Sequence, residues 1–452
     1  MTQRLAPLDC AAFRVEVATG RRVASQAVWK YNRPIDREKL ESFHRRLASG
    51  TLARRVVRTC IPAARDRWIT EANPLPIDHH PEQLSADDVE AWISDKGHSY
   101  VSGTGPTWRM AVAELDTGGA IVSVVASHSV VDGHAFTLAL TAAALGVPPR
   151  APADPEIPPR WKVLSADIVQ ATRQIPSIAH ALVALPGVLR FEAPRSPQVE
   201  ASAAQLEHDD DIADIYDALT SPIGEFRFPG VSLPVSTEQW SARAQALGGT
   251  PNTLFMAIAA SIAQRLGRTR PDGSVELAIP VSTRTPDDDR ANAISGVKLP
   301  LDPSAVRDDL SPVRADLKQT LIAAATNPHP LEPLLPLLNA LPNILVRKLA
   351  NAFLLGDYTS VGCSNVGSTD ARLLNIDGAP ADHMMMTFVL QGYAPRDIPK
   401  TGGRLNVGII DNAGIIRLRI YGFDPRTPLG PDDLRTLSEH VLTEWGLDAL
   451  TW

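Results

Sequence analysis

The stretch His128-Ser129-Val130-Val131-Asp132-Gly133 lies between a near-continuous apolar run, Ala120 to Ala126, and a helical pattern, His134 to Leu145. A strand that is apolar on both faces is buried, so a polar loop at its end is held rigidly at the edge of a core. A histidine there has one ring nitrogen free for chemistry and the other available for orientation by a carbonyl. With an ordinary pKa of about 6.5, it can accept a proton from a hydroxyl or amine attacking a carbonyl. Gly133 leaves room where a side chain would crowd a tight turn and an approaching substrate. Asp132 is expected to turn inward toward an arginine and brace the loop rather than handle protons.

Two other readings compete with catalysis. A histidine at a strand end often serves only as a hydrogen-bonding residue. His128, Asp132 and His134 are also spaced closely enough to be metal ligands. No second cluster supplies a fourth ligand, however, and His79-His80, flanked by Pro76, Asp78 and Pro81, reads as an exposed turn. No metal is therefore expected.

Working outward, Trp108 to Leu115 and Ala120 to Ala126 form a hairpin turning at Asp116-Thr-Gly-Gly119, and this hairpin delivers His128 to its loop. Residues 37 to 49 suit a helix and Arg55 to Ile61 a strand. From Gly146 to about Gly230 the pattern becomes Pro-rich, with a short helix over Ile178 to Phe191 broken at Pro186-Gly187. The second half opens on a capping box at Ser236-Thr-Glu-Gln239. Thr250-Pro251 then starts a helix that Gly267 stops after Leu266. Strands are expected at Val275 to Val281, Thr359 to Cys363, Met385 to Gln391, Leu405 to Ile410 and Ile415 to Tyr421, and a last helix at Pro431 to Trp445. Leu331 to Leu355, interrupted by three prolines, reads as core helices or as the wall of an acyl-chain site that could also meet a membrane surface.

The chain has 452 residues, more than one core usually supports. The expected division is an N-terminal subdomain over 1–150 carrying the His loop, a crossover over 151–230, and a C-terminal subdomain over 231–452. A hydrophobic fraction of 44% and a charged fraction of 21% describe an ordinary globular protein. The net charge of −7 argues against a nucleic-acid binder. One basic cluster, Arg45, Arg46, Arg54, Arg55, Arg58, Arg65 and Arg67, reads as a solvated face or as a surface for the phosphates of a thioester carrier. The three cysteines are far apart and fit a reducing compartment. The first residues lack the order of a signal peptide, and no run of about 18 apolar residues occurs, so the expected location is cytoplasmic.

Further motifs follow in a fixed order. They are Pro106-Thr-Trp108, the His128 to Gly133 loop, Asn252-Thr-Leu-Phe-Met-Ala257, Pro280-Val-Ser-Thr-Arg284 followed by Asn292, Ser364-Asn-Val-Gly367, Gly402-Gly-Arg-Leu-Asn-Val-Gly408 and Asn412-Ala-Gly414. From about residue 55 to 425 this series resembles the chloramphenicol acetyltransferase-like superfamily, whose hallmark is H-x-x-x-D-G. Its members include peptide-synthetase condensation domains, polyketide-associated acyltransferases and bacterial wax ester synthase/diacylglycerol acyltransferases. The last group is the nearest in pattern, with P-L-W, N-D-V-V-L-A and S-N-V-P-G-P at the corresponding places. The resemblance implies an α/β protein in which two similar subdomains form a pseudo-dimer around a central tunnel. His128 would sit midway, with a thioester donor on one side and the acceptor on the other.

It further implies an acyltransferase without a bound cofactor, acting on acyl-CoA or a phosphopantetheinyl carrier, with a hydroxyl acceptor favoured over an amine. Two alternatives remain: a condensation-type enzyme of natural-product assembly that acts with an acyl carrier protein, and a non-catalytic binding member. Ser364 and Asn365, or Thr359 and Ser360, are candidates for holding the oxyanion or for plain strand-end hydrogen bonding. Arg54 or Arg55 is the expected partner of Asp132, with Arg58 as a third choice. The sequence departs from the wax ester synthase pattern at Ser127, where that group has a second histidine, at Thr107 and at Ser368. Those departures leave the acceptor and the acyl chain open. Gly362-Cys-Ser364-Asn-Val366 lacks the last glycine of a nucleophile elbow, and Gly103-Thr-Gly105 lacks the third glycine of a dinucleotide loop.

Overall fold

A computed structural model describes residues 3–71, 73–147, 159–189, 210–286, 288–326, 332–354, 360–398 and 402–450. The first half contributes β1 (Arg22–Tyr31), β2 (Arg54–Val57), β3 (Arg67–Thr70), β4 (Asp78–His79), β5 (Trp108–Glu114) and β6 (Ala120–Ser127). The second contributes β7 (Gly230–Ser236), β8 (Val275–Ser282), β9 (Ile294–Leu301), β10 (Val361–Ser368), β11 (His383–Gln391), β12 (Arg404–Asn412) and β13 (Ile415–Phe423). They form a five-stranded sheet, β11-β1-β6-β5-β4, a six-stranded sheet, β7-β13-β12-β10-β8-β9, and the separate pair β2-β3.

The expected hairpin is present, with β5 and β6 antiparallel from Trp108 opposite Ala126 to Glu114 opposite Ala120. Every residue of β6 is buried, because helices and the neighbouring strands cover both of its faces. Its other neighbour is β1, a strand absent from the sequence reading because Ser25, Gln26 and Lys30 interrupt its apolar pattern. Gln26 sits in the core at little cost, since its amide donates to the Ile93 carbonyl and to Ser123 Oγ. The outer neighbour of β1 is β11, paired antiparallel from Arg22 opposite Gln391 to Lys30 opposite His383. A strand from the second half therefore completes the sheet of the first.

In the six-stranded sheet, Ile416, Leu418 and Ile420 of β13 point into one core against the helix Pro251–Arg265. That helix is buried over its whole middle, with Leu254 through Ala263 inside, and begins at the Thr250 cap with Pro251 at its first turn as expected. In the crossover, the expected short helix broken at Pro186-Gly187 is instead one helix from Arg160 to Leu189. Its Asp167 anchors it to the first half by accepting from Arg4, Thr59 and Arg67. The strand expected over Arg55 to Ile61 ends at Val57. Residues 148–158 of the Pro-rich stretch, and Thr359, lie outside the described residues.

Candidate active site

His128 follows the last residue of β6. Its N–H donates to the Val23 carbonyl of β1, and the next turn closes through Val130 N and Val131 N on the Ser127 carbonyl. Ser127, where the resembling family has a second histidine, is buried, and its Oγ accepts from Ser129 N. Ser129 in turn donates to buried Glu16, so both polar residues around His128 are engaged in holding the loop.

Asp132 caps the helix Gly133–Ala144, with Oδ1 accepting from Ala135 N at 2.7 Å. Its Oδ2 accepts from Arg284 Nη2 at 2.7 Å and from Ala293 N at 2.9 Å. The partner of Asp132 is thus Arg284, and not Arg54 or Arg55 as expected. Arg54 is buried beside the loop, stacked 4.4 Å above Trp68, and donates to the carbonyls of Val130 and Asp289. Its burial lowers its pKa to about 10. Arg55 pairs with Glu71 at 3.3 Å. The sequence did contain the right arginine, at the end of Pro280-Val-Ser-Thr-Arg284, but nothing local linked it to Asp132.

Between β8 and β9, residues 283–286 and 288–293 close over the His loop. Arg284 also donates to the carbonyls of Asp288, Arg290 and Ala291. Buried Asp9 accepts from Ala291 N, Asn292 N and Asn292 Nδ2, while Asn292 Nδ2 also reaches the His128 carbonyl at 3.1 Å. Burial raises the Asp9 pKa, and those donors together with Arg54 oppose the rise. The His loop is therefore clamped by two carboxylates that both hold the same segment of the second half.

The His128 ring packs against Phe388 of β11, with centroids 5.4 Å apart. A Cβ on Gly133 would stand 3.1 Å from the same Phe388 ring, which gives this glycine a steric reason. Burial pushes the His128 pKa below its ordinary value; Asp132, its own backbone carbonyl and Asn292 push weakly the other way. A downward shift favours the neutral ring, the form a proton acceptor requires.

Two cavities meet at this ring. The first, of about 500 Å³, is lined by Leu334, Leu335, Leu337, Leu338, Leu349 and Ala350, with Glu16, Arg21, Arg22 and Arg404 among its polar residues. The second, of about 410 Å³, is lined by Asp132, Gly133, Ser364, Asn365, Phe388, Arg419 and Tyr421, among others. Val23, His128, Leu390 and Asn406 border both. Leu334 to Ala350 belong to the apolar stretch read as core helices or an acyl-chain wall, and they do face a cavity.

The oxyanion candidates separate. Ser364 on β10 borders the second cavity and makes no side-chain hydrogen bond among the described residues. Asn365 borders it too, but its carboxamide is spent on Asn252 and on Gly367 N. Ser360 is not on the cavity and donates to Glu276. Asn406, not singled out from the sequence, borders both cavities and has no side-chain partner among the described residues. The basic cluster is dispersed, with Arg54 and Arg67 buried and Arg55 paired, so it forms no common phosphate-facing patch. Among the described residues no group of three His, Cys, Asp or Glu side chains is placed to hold a metal ion. No single helix among them is long and apolar enough to cross a membrane.

No family model and no curated protein matches this sequence. Solved structures do match it along its full length. The first condensation domain of the calcium-dependent antibiotic synthetase, in complex with a substrate analogue, is 14% identical with a TM-score of 0.53, covering 100% of this chain and 99% of that one. The wax ester synthase/diacylglycerol acyltransferase from Marinobacter aquaeolei VT8 is 14% identical with a TM-score of 0.54, covering 98% of each chain. A starter condensation domain of rhizomide synthetase in complex with C8-CoA is 14% identical with a TM-score of 0.50, covering 99% of this chain and 95% of that one. The chain has the fold these proteins share, the α/β fold that the motif series implied.

Proposed function

We propose that this protein is an acyltransferase that moves an acyl group from a thioester donor to a hydroxyl acceptor, with His128 as general base. The observation that carries the reading is that one histidine forms the boundary between two cavities, each large enough for a separate reactant. The apolar first cavity suits the acyl donor, and Arg21, Arg22 and Arg404 on its wall are the kind of groups that meet a donor's phosphates. The resemblance to a domain solved with C8-CoA supports a coenzyme A or phosphopantetheinyl thioester as that donor.

The mechanism takes Nδ1 as the protonated ring nitrogen and Nε2 as the proton acceptor. As the acceptor oxygen attacks the thioester carbon, its proton passes to Nε2. The tetrahedral oxyanion is held by Ser364 Oγ–H or Asn406 Nδ2–H, donors on the second cavity that make no side-chain hydrogen bond among the described residues. Collapse breaks the C–S bond, and the imidazolium returns the proton to the leaving thiolate. Asp132 is a positioning residue here, because its lone pairs are already committed to Ala135, Arg284 and Ala293.

The test is to incubate the full chain with acyl-CoA and acyl-pantetheine donors plus a panel of alcohols and amines, reading products by mass spectrometry. Ester formation that is lost in His128→Ala supports the reading, and amide formation alone would make it a condensation-type enzyme. Transfer undiminished in His128→Ala would refute the mechanism.

A further inference from the structure

On β13 the residues alternate strictly. Ile416, Leu418 and Ile420 face the core, while Arg417, Arg419 and Tyr421 face the cleft between the two sheets, and all three are buried. Arg417 Nη2 meets His383 Nδ1 at 3.0 Å. What sets Arg419 apart is that it borders the second cavity; its side chain is 9% exposed, and its Nε and Nη1 are enclosed without a hydrogen bond. The nearest carboxylate, Glu90, stands 3.8 Å from Nη1, close enough to attract but beyond hydrogen-bond reach.

The surroundings are shaped for this guanidinium without satisfying it. A Cβ on Gly230 would fall 2.6 Å from Arg419 Nη2, so the glycine of β7 is what lets the group lie against the sheet. Ser232, opposite Arg419 in register, is fully buried with its Oγ unpaired. Tyr421 Oη accepts from Leu390 N, which leaves its own proton to donate toward the cavity it borders. Buried guanidinium groups are ordinarily paired, because an unpaired charge away from water is costly. The other charged groups on this cavity do not pair with it: the Asp132 carboxylate is spent on Arg284 and two N–H groups.

We propose that Arg419, with Tyr421 beside it, is the subsite for a carboxylate on the acceptor, so that the acceptor is an amino acid or hydroxy acid. The carboxylate binds the guanidinium on the wall of the second cavity while the nucleophile faces His128, which borders the same cavity. A planar guanidinium presents its N–H groups as a fork, and a carboxylate accepts from those of them that reach the cavity. The inference rests on acyl transfer for its biological meaning, but its test does not need turnover.

The probes are amino and hydroxy acids of two to eight carbons, each beside its methyl ester, together with pantetheine and phosphopantetheine. Binding to the full chain is read by calorimetry for wild type, His128→Ala, Arg419→Met and Arg419→Lys. At least one acid is expected to bind about tenfold or more tighter than its ester, in wild type and in His128→Ala. Arg419→Met abolishes that preference, and Arg419→Lys, which keeps the charge without the fork, retains part of it. Arg419→Met is also expected to melt no lower than wild type, because a buried cation whose carboxylate neighbour, the half-exposed Glu90, stands beyond hydrogen-bond reach has been replaced by an apolar chain of similar length. The proposal is overturned if no acid outbinds its ester, if the preference survives Arg419→Met, or if Arg419-dependent binding belongs to phosphopantetheine alone. Arg419-dependent acid binding without transfer from any donor would leave the subsite standing and remove the acyltransferase reading.

Discussion

The walls of the two cavities are made of different material. The first is lined largely by leucines on the short helices between Leu334 and Ala350, which pack on the N-terminal helix Pro7–Thr19. The second is lined by strands of both sheets, β10, β12 and β13 on one side and β11 on the other, and these carry polar groups at fixed register positions. A leucine wall recognises length and bulk, because apolar contact has no direction. A strand wall can recognise an individual group, because alternate side chains are held at set spacings. His128 belongs to both, and the clamp that fixes it, Asp132 with Arg284, reaches the second cavity only through Asp132, whose carboxylate is committed to the loop.

Removing the shared element has the largest expected effect. His128→Ala should lower kcat/KM by about 10²- to 10⁴-fold for every donor and acceptor alike, while the melting temperature stays near that of wild type. A loss confined to one class of donor or acceptor would mean that His128 belongs to one cavity only. Asp132→Asn attacks the same point from the architectural side. It leaves Arg284 buried without its counter-charge and should cost about 3–5 kcal/mol in unfolding experiments, with activity falling as the loop loosens. An Asp132→Asn protein that keeps full stability and loses rate would instead give the carboxylate a direct part in the chemistry.

What the sequence disclosed follows the same division. The His loop was legible because strand, loop and helix are contiguous, so the burial of β6 can be inferred locally; the cap that Asp132 places on the helix went unread. Arg284 was visible as part of a motif, but its pairing with Asp132 spans 152 residues, and only the fold brings the two together. Arg54 was a near miss, since it touches the loop at the Val130 carbonyl rather than at the carboxylate. The joining of β11 to β1 was illegible for a similar reason: the alternation of Met384 to Gln391 is the same whichever sheet it enters. Arg417 and Arg419 lie in a strand that was legible, Ile415 to Tyr421, but their burial was not, because the sheet that covers that face comes from elsewhere in the fold.

A smaller effect should separate the two walls. Leu338→Trp narrows the first cavity and should lower activity with long acyl chains about tenfold relative to short ones, since each excluded methylene is worth roughly 0.8 kcal/mol. The ranking of acceptors should not move. Competition between pairs of donors, and then pairs of acceptors, reads both at once. A change in acceptor ranking would show that the leucine wall also touches the second substrate, and the contrast between the walls would fail.

The smallest effect is in the pH profile. With His128 as the proposed base the reaction needs the neutral ring, so the rate is expected to fall as pH drops through the His128 pKa, and burial puts that fall below the usual value of about 6.5. The acid limb of kcat/KM reports the free enzyme, and that of kcat the complex. A carboxylate seated at Arg419 brings a negative charge into the cavity that His128 borders. That charge favours the imidazolium and raises its pKa, so the acid limb of kcat should lie a fraction of a pH unit above that of kcat/KM. A neutral acceptor brings no such charge, and its two limbs should coincide. Measuring both profiles with an acid and with its methyl ester therefore tests whether charge placed at the strand wall is felt at the shared histidine; equal limbs for both acceptors would mean that the carboxylate sits elsewhere.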